Sequence, residues 1–175
     1  RFVDIVNSDL SNTIGNLLNR TITMTKKWFN EKIPIDNSSL PESPLKLQSE
    51  IKIKEYMESF NDTNFKNSAN AIIDLANSAN LFLNERAPWK LIKDIKNKDI
   101  VALDIYSVLE SCRIIGILLN PFVPNLSNRI LKQLRIDSST INFEKSLQWG
   151  LLDPDKGLQD PFPVMGKIEY NENAI

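Results

Sequence analysis

VDIVNSDLSNTIGNLLNRTITMTKKWF, residues 3–29, is the stretch on which the fold turns. Val6, Leu10, Ile14, Leu17, Thr21, Met24 and Trp28 recur every three or four positions, the spacing at which helical side chains share a face. Asp9, Asn12, Asn16, Arg20 and Thr23 fall on the other side at the same spacing. The segment therefore reads as one long amphipathic helix, and its apolar stripe needs matching stripes elsewhere in the chain. Gly15 lies in its interior, where glycine costs about 1 kcal/mol relative to alanine. A close helix approach, a ligand or plain tolerance would each account for it.

The rest of the chain supplies the partners. Pro34, Pro41 and Pro44, with Asp36-Asn37-Ser38-Ser39, mark 31–46 as a surface connection. A second helix is expected over about 47–60, and Asn61-Asp62-Thr63 supplies turn and N-cap residues. The third, about 64–86, buries Ala69, Ile72, Ile73, Ala76 and Leu83 and carries asparagines on its other faces. Pro88 cannot continue it. The fourth, 98–119, carries Leu103, Val108, Leu109, Cys112, Ile115 and Leu119. Pro121 and Pro124 break it, and Pro124 opens a short fifth helix, 124–134. After Leu134, Asp153-Pro154, Asp160-Pro161 and Phe162-Pro163 predict a loop-rich tail, with a short strand expected near Val164–Ile168. The expected fold is all-α: an antiparallel bundle of about five helices with a C-terminal extension. Val6, Leu10, Ile14, Leu17, Ile72, Ile73, Ala76, Val108, Cys112 and Ile115 are expected to share one core.

Composition narrows the chemistry. Of 175 residues, 42% are hydrophobic and 25% charged, the balance of a globular protein with a substantial core. With 21 basic and 22 acidic residues the net charge is −1, which argues against nonspecific polyanion binding. No histidine is present, so histidine bases, Ser-His and Cys-His pairs and imidazole ligands are excluded. Cys112 is the one cysteine, allows no internal disulfide, and reads as a buried thiol of a cytoplasmic, reducing compartment. No run approaches the ~20 apolar residues of a membrane span, and no stretch resembles a signal peptide. The chain opens on Arg1 within a helical pattern, which predicts a piece of a longer protein.

Enzyme motifs are missing. The five glycines are scattered and form no phosphate loop. Asp153 and Asp155 lie on a proline-rich loop and read as solvated charges. Lys66-Asn67-Ser68-Ala69-Asn70 loosely echoes a lysine-serine loop of nucleotide enzymes, but it falls inside the third helix and lacks the second such pair. No catalytic residue, metal ligand or cofactor site is expected in this chain.

What remains is a constellation suited to a nucleobase. Asn16 and Arg20 stand at i and i+4, on one helix face and within reach of a common ligand. Arginine only donates, whereas asparagine donates and accepts; together they complement the two acceptors and one amino donor of a cytosine edge. Trp89, directly behind Pro88 in NERAPWK (84–90), offers a flat surface for an unstacked base. The alternative is that Asn16 and Arg20 are ordinary helix surface and Trp89 caps the core.

Three segments in order resemble the anticodon-binding domain of methionyl-tRNA synthetases. Residues 7–20 (NSDLSNTIGNLLNR) are similar to the family's Asn-x-Asp-Leu-x-Asn…Gly-Asn-Leu-x-x-Arg segment. The run from Leu75-Ala76-Asn77 through Asn80 to Ala87-Pro88-Trp89 is similar to its Ala-Pro-Trp region, and Leu119–Pro124 to its proline-rich break before the last helix. The resemblance spans about 2–135, and Pro161-Phe162-Pro163 continues it loosely. It implies a helical anticodon-binding bundle over 1–135 and an extension, 136–175, packing back on the bundle or toward a catalytic domain. It implies that Trp89 stacks on an anticodon base, that Asn16 and Arg20 read the first anticodon base, cytosine, and that Asn80 and Pro88 line the same site. It further implies a methionine–tRNA ligase as parent, with ATP and magnesium used by that enzyme's catalytic domain, and methionine tRNA (anticodon CAU) as partner. Val164 stands where many members carry arginine, so no role is transferred to the tail. Arg20, Lys26, Lys27, Lys90 and Lys93 are expected to form a basic rim. Two alternatives stand beside this reading: the anticodon domain of another class I synthetase (leucine, isoleucine, valine or cysteine), or a helical protein–protein scaffold without an RNA role.

Overall fold

A computed structural model describes residues 11–35, 42–154 and 156–163, and no strand occurs among them. The helices are α1 (Ser11–Phe29), α2 (Pro44–Asn61), α3 (Phe65–Arg86), α4 (Pro88–Leu91), α5 (Lys98–Leu119), α6 (Pro124–Gln133) and α7 (Phe143–Ser146). Short 3-10 turns occupy Ile95–Asn97 and Ser138–Thr140. The fold is the all-α bundle that the periodicity predicts. Val6, Leu10, Asp155 and the strand expected at Val164–Ile168 lie outside the described residues.

Helix starts follow the capping rules. The Ser43 hydroxyl accepts from the Leu45 N–H at 3.3 Å, and Pro44 occupies the first turn. α2 therefore begins three residues before the expected Leu47: Pro44, read as part of the connection, is the helix opener. α3 is capped by Asn64, whose side chain accepts from the Asn67 N–H at 3.2 Å. Asn61, Asp62 and Thr63 end α2 and form the turn as expected, with Thr63 in a left-handed backbone at φ 56°, but the N-cap falls one residue later, on Asn64. So short a turn makes α2 and α3 antiparallel neighbours.

α5 is the centre of the molecule. From Val101 to Leu119 every residue except Leu103 is buried, and α1, α2, α3, α4 and α6 all pack on it. A helix covered all round is a core element. The sequence reading gave it one apolar face, but its Asp104, Glu110 and Arg113 are buried as well. Ile14, Leu17, Ile72, Ala76, Val108, Cys112 and Ile115 share the core as expected, whereas Ile73 is half-buried and packs at its margin. Burial pushes the Cys112 thiol up to about 12, so it stays protonated and inert.

Gly116 permits close contact between α5 and α6. A Cβ there would lie 3.0 Å from both Ile130 Cγ2 and Leu131 Cδ2. Gly116→Val should cost about 1–3 kcal/mol through overpacking, read as a lower urea midpoint. An unchanged midpoint would mean that α5 and α6 do not meet there.

The described part of the tail, up to residue 163, lies on the bundle. The Glu110 carboxylate, fully buried, accepts from the backbone N–H groups of Gly150 (2.7 Å), Leu151 (3.0 Å) and Leu152 (3.2 Å). Arg113 donates to both Glu110 oxygens at 3.0 and 2.6 Å, and to the carbonyls of Ser146 and Gln148. Buried Gln133 donates to the Phe162 carbonyl at 3.0 Å, and its own carbonyl accepts from the Gln159 N–H at 3.0 Å.

Candidate nucleic-acid interface

The end of α3 is built to turn sharply. Ala87 caps the helix in the left-handed region (φ 43°, ψ 58°), and its N–H bonds the Leu83 carbonyl at 3.1 Å. Pro88 then opens α4, since a first-turn residue needs no N–H donor. The proline thus ends one helix and starts the next. Arg86 secures the corner: its Nε donates to both carboxylate oxygens of Asp104 at 2.9 Å. Asp104 is buried in α5, and desolvation raises its pKa despite the opposing pull of Arg86.

This corner presents Trp89 beside α1. Trp89 is 36% exposed, while Pro88 beneath it is buried. The Arg20 guanidinium lies over the Trp89 ring, with Cζ 5.5 Å from the ring centroid, within cation–π range. Its Nη2 also donates to Asn84 Oδ1 at 3.3 Å. Asn16 stands one helical turn before Arg20 on the exposed stripe of α1, and Asn80 is half-buried one turn before Asn84 on α3. Arg20 of α1 thus meets Asn84 at the end of α3 and Trp89 of α4, 64 and 69 positions away, while Asn16 and Asn80 are placed near them by helical position alone. A guanidinium, amides and an indole face can donate to, accept from and stack on a flat polar ring.

The basic rim is smaller than the sequence suggests. Lys27, Lys90 and Lys93 are exposed. Lys26 is drawn into ion pairs with Asp160 of the tail and Glu31, and these raise its pKa, the Asp160 hydrogen bond first. It is a tie between tail and bundle and is withdrawn from the rim.

Residues 36–174 match the family model of the anticodon binding domain of methionyl tRNA ligase. The chain belongs to this family. The matched span contains Asn80, Pro88 and Trp89, and α1 precedes it. A methionine–tRNA ligase of Nostoc sp. is 33% identical and extends the likeness over 99% of the chain, α1 included. The chloroplastic/mitochondrial methionine–tRNA ligase of Arabidopsis thaliana is 33% identical over 98% of the chain. The chain spans about a third of the length of these relatives, 34% of the first and 28% of the second. The free-state crystal structure of Mycobacterium tuberculosis methionyl-tRNA synthetase superimposes with a TM-score of 0.81 over 96% of this chain and 34% of that one, at 22% identity, a likeness of fold.

Sequence reasoning missed three parts of this anticodon-binding domain. Asn84 was legible in principle, since Asn80 and Asn84 repeat on α3 the i, i+4 spacing of Asn16 and Arg20. The Arg86–Asp104 corner and the Glu110–Arg113 anchor carry no sequence signal beyond charges that also suit solvent. Among the described residues no helix is long and apolar enough to cross a membrane.

Proposed function

We propose that this domain reads the anticodon loop of methionine tRNA, CAU, as part of a methionine–tRNA ligase. The observation that carries the proposal is the meeting of Arg20 with the Trp89 ring on an exposed surface, in a chain that belongs to the anticodon-binding family. Trp89 stacks on an unstacked anticodon base. Asn16 and Arg20 satisfy the edge of the first base, cytosine, and Asn80 borders the same surface. Pro88, being buried, serves by aiming Trp89. Exposed Lys27, Lys90 and Lys93 meet phosphates. Reading by stacking and edge contacts needs few such charges, which fits a net charge of −1. The ATP-dependent step, with its magnesium, belongs to the catalytic domain of the parent enzyme, the domain's other partner.

Donor–acceptor counting gives the test. Uracil carries a donor at the ring nitrogen and an acceptor where cytosine has its amino group, so an arginine placed for cytosine faces a donor. That loses a charge-assisted bond worth about 1.5–3 kcal/mol. Arg20→Ala should weaken binding to a CAU hairpin and flatten the preference for CAU over UAU. Lys93→Ala should lower affinity for both hairpins alike and reduce the salt dependence. Titrations of both variants at two salt concentrations separate these roles; an Arg20→Ala variant that keeps the full C-over-U ratio would remove Arg20 from base reading.

A further inference from the structure

In the free chain the face of Trp89 nearest Arg20 is already occupied. A base sandwiched between two flat groups needs about 6.8 Å, twice the ~3.4 Å spacing of stacked bases, and Arg20 Cζ stands 5.5 Å from the ring centroid. The guanidinium must therefore move before a base can stack on that face. What holds it is also visible: Asn84 Oδ1 accepts from Arg20 Nη2 at 3.3 Å. Asn84 is exposed and sits one residue before Glu85 and two before the Arg86 corner, on a helix end fixed by the buried Asp104.

We propose that Asn84 is a positioning residue that parks Arg20 on Trp89 in the free protein, so that the two base-binding groups shield each other until a ligand separates them. The proposal rests on the anticodon-reading function argued above. When a base stacks on Trp89, Arg20 leaves Asn84 and the ring together and turns its donors to the base edge. Reading and stacking are thereby coupled: a base whose edge does not accept Arg20 gains the ring only by leaving the guanidinium without either partner. The parked state lowers apparent affinity by the fraction of open molecules. The exposed Asn84 hydrogen bond holds the parked state by about 0.5–1 kcal/mol, a factor of roughly two to five in that fraction.

The sign of the effect makes the test decisive. If Asn84 only parks Arg20, Asn84→Ala should bind a CAU hairpin two- to fivefold more tightly, whereas a residue that touched RNA itself would weaken binding when removed. Equal or weaker binding overturns the proposal. A second arm uses no RNA. In a chain carrying Trp28→Phe and Trp149→Phe, with Trp89 the remaining tryptophan, acrylamide quenching should rise on adding Asn84→Ala and rise again with Arg20→Met. Quenching that is unchanged by both overturns the parking. If Trp89→Ala leaves hairpin binding untouched, the anticodon reading falls, and the quenching arm alone decides whether Arg20 is parked.

Discussion

Trp89→Ala should weaken binding to a CAU hairpin by about five- to 150-fold while leaving the melting temperature within a degree or two of the parent. The magnitude follows from the ~1–3 kcal/mol that stacking of one base on an aromatic ring contributes. The small stability effect follows from position: Trp89 is 36% exposed, and α4 is held by Pro88 and by the Arg86–Asp104 pair, not by the indole. Calorimetry with fluorescence titration measures both quantities on one sample. A collapsed melting temperature would make Trp89 a core residue and end the stacking role.

Glu110→Ala should produce the largest loss of stability. Its carboxylate serves Arg113 and three tail N–H groups, and the Glu110 and Arg113 side chains are almost completely buried. Removing one partner of a buried pair costs about 3–5 kcal/mol, because the other charge stays buried and uncompensated. For a domain of this size each kcal/mol is worth about 2–4 °C, so the melting temperature should fall by about 6–20 °C. Hydrogen exchange should rise first at Gly150, Leu151 and Leu152, whose N–H groups lose their acceptor. A variant that melts with the parent and keeps those amides protected would contradict the anchoring role.

The contrast between these two residues shows what a linear sequence carries. α1, α3 and α5 were legible because apolar side chains at helical spacing have one physical explanation. Pro124 marked the start of α6 because a missing N–H donor is harmless only in a first turn. Trp89 was legible as a surface group because Pro88 ends the apolar periodicity just before it. Glu110 and Arg113 were not legible. Spaced i, i+3 on a helix, they match a solvated ion pair, and only the tail folding over them buries the site. The same holds for Asp104, whose partner Arg86 belongs to another helix. α2 was misplaced at its start because a proline marks either a loop or a first turn, and Ser43, the cap that decides, is a weak signal alone.

The candidate site divides in the same way. Asn16 and Arg20 could be paired from their i, i+4 spacing, and Trp89 from its place behind Pro88, yet no spacing rule joins positions 20 and 89. The bundle brings Arg20 to Trp89 because α1 and the end of α3 both flank α5. Asn84 entered the site only through its hydrogen bond to Arg20. The α3 helix also separates this surface from the aromatic cluster of Tyr56, Phe60, Phe65 and Phe122 by about 30 Å, the length of some twenty helical residues. Binding variants at one end should therefore leave packing at the other end intact.

The most direct test of the central claim is a titration of the 175-residue chain with four RNA hairpins that differ only in the first anticodon base, CAU, UAU, AAU and GAU, at two salt concentrations. The Asn16, Arg20 and Trp89 site predicts that CAU binds tightest, by about tenfold or more over UAU, the factor that corresponds to losing one charge-assisted bond of about 1.5 kcal/mol or more. Equal affinity for all four hairpins, or binding that vanishes alike as salt is raised, would contradict base reading and leave only a weakly charged helical surface.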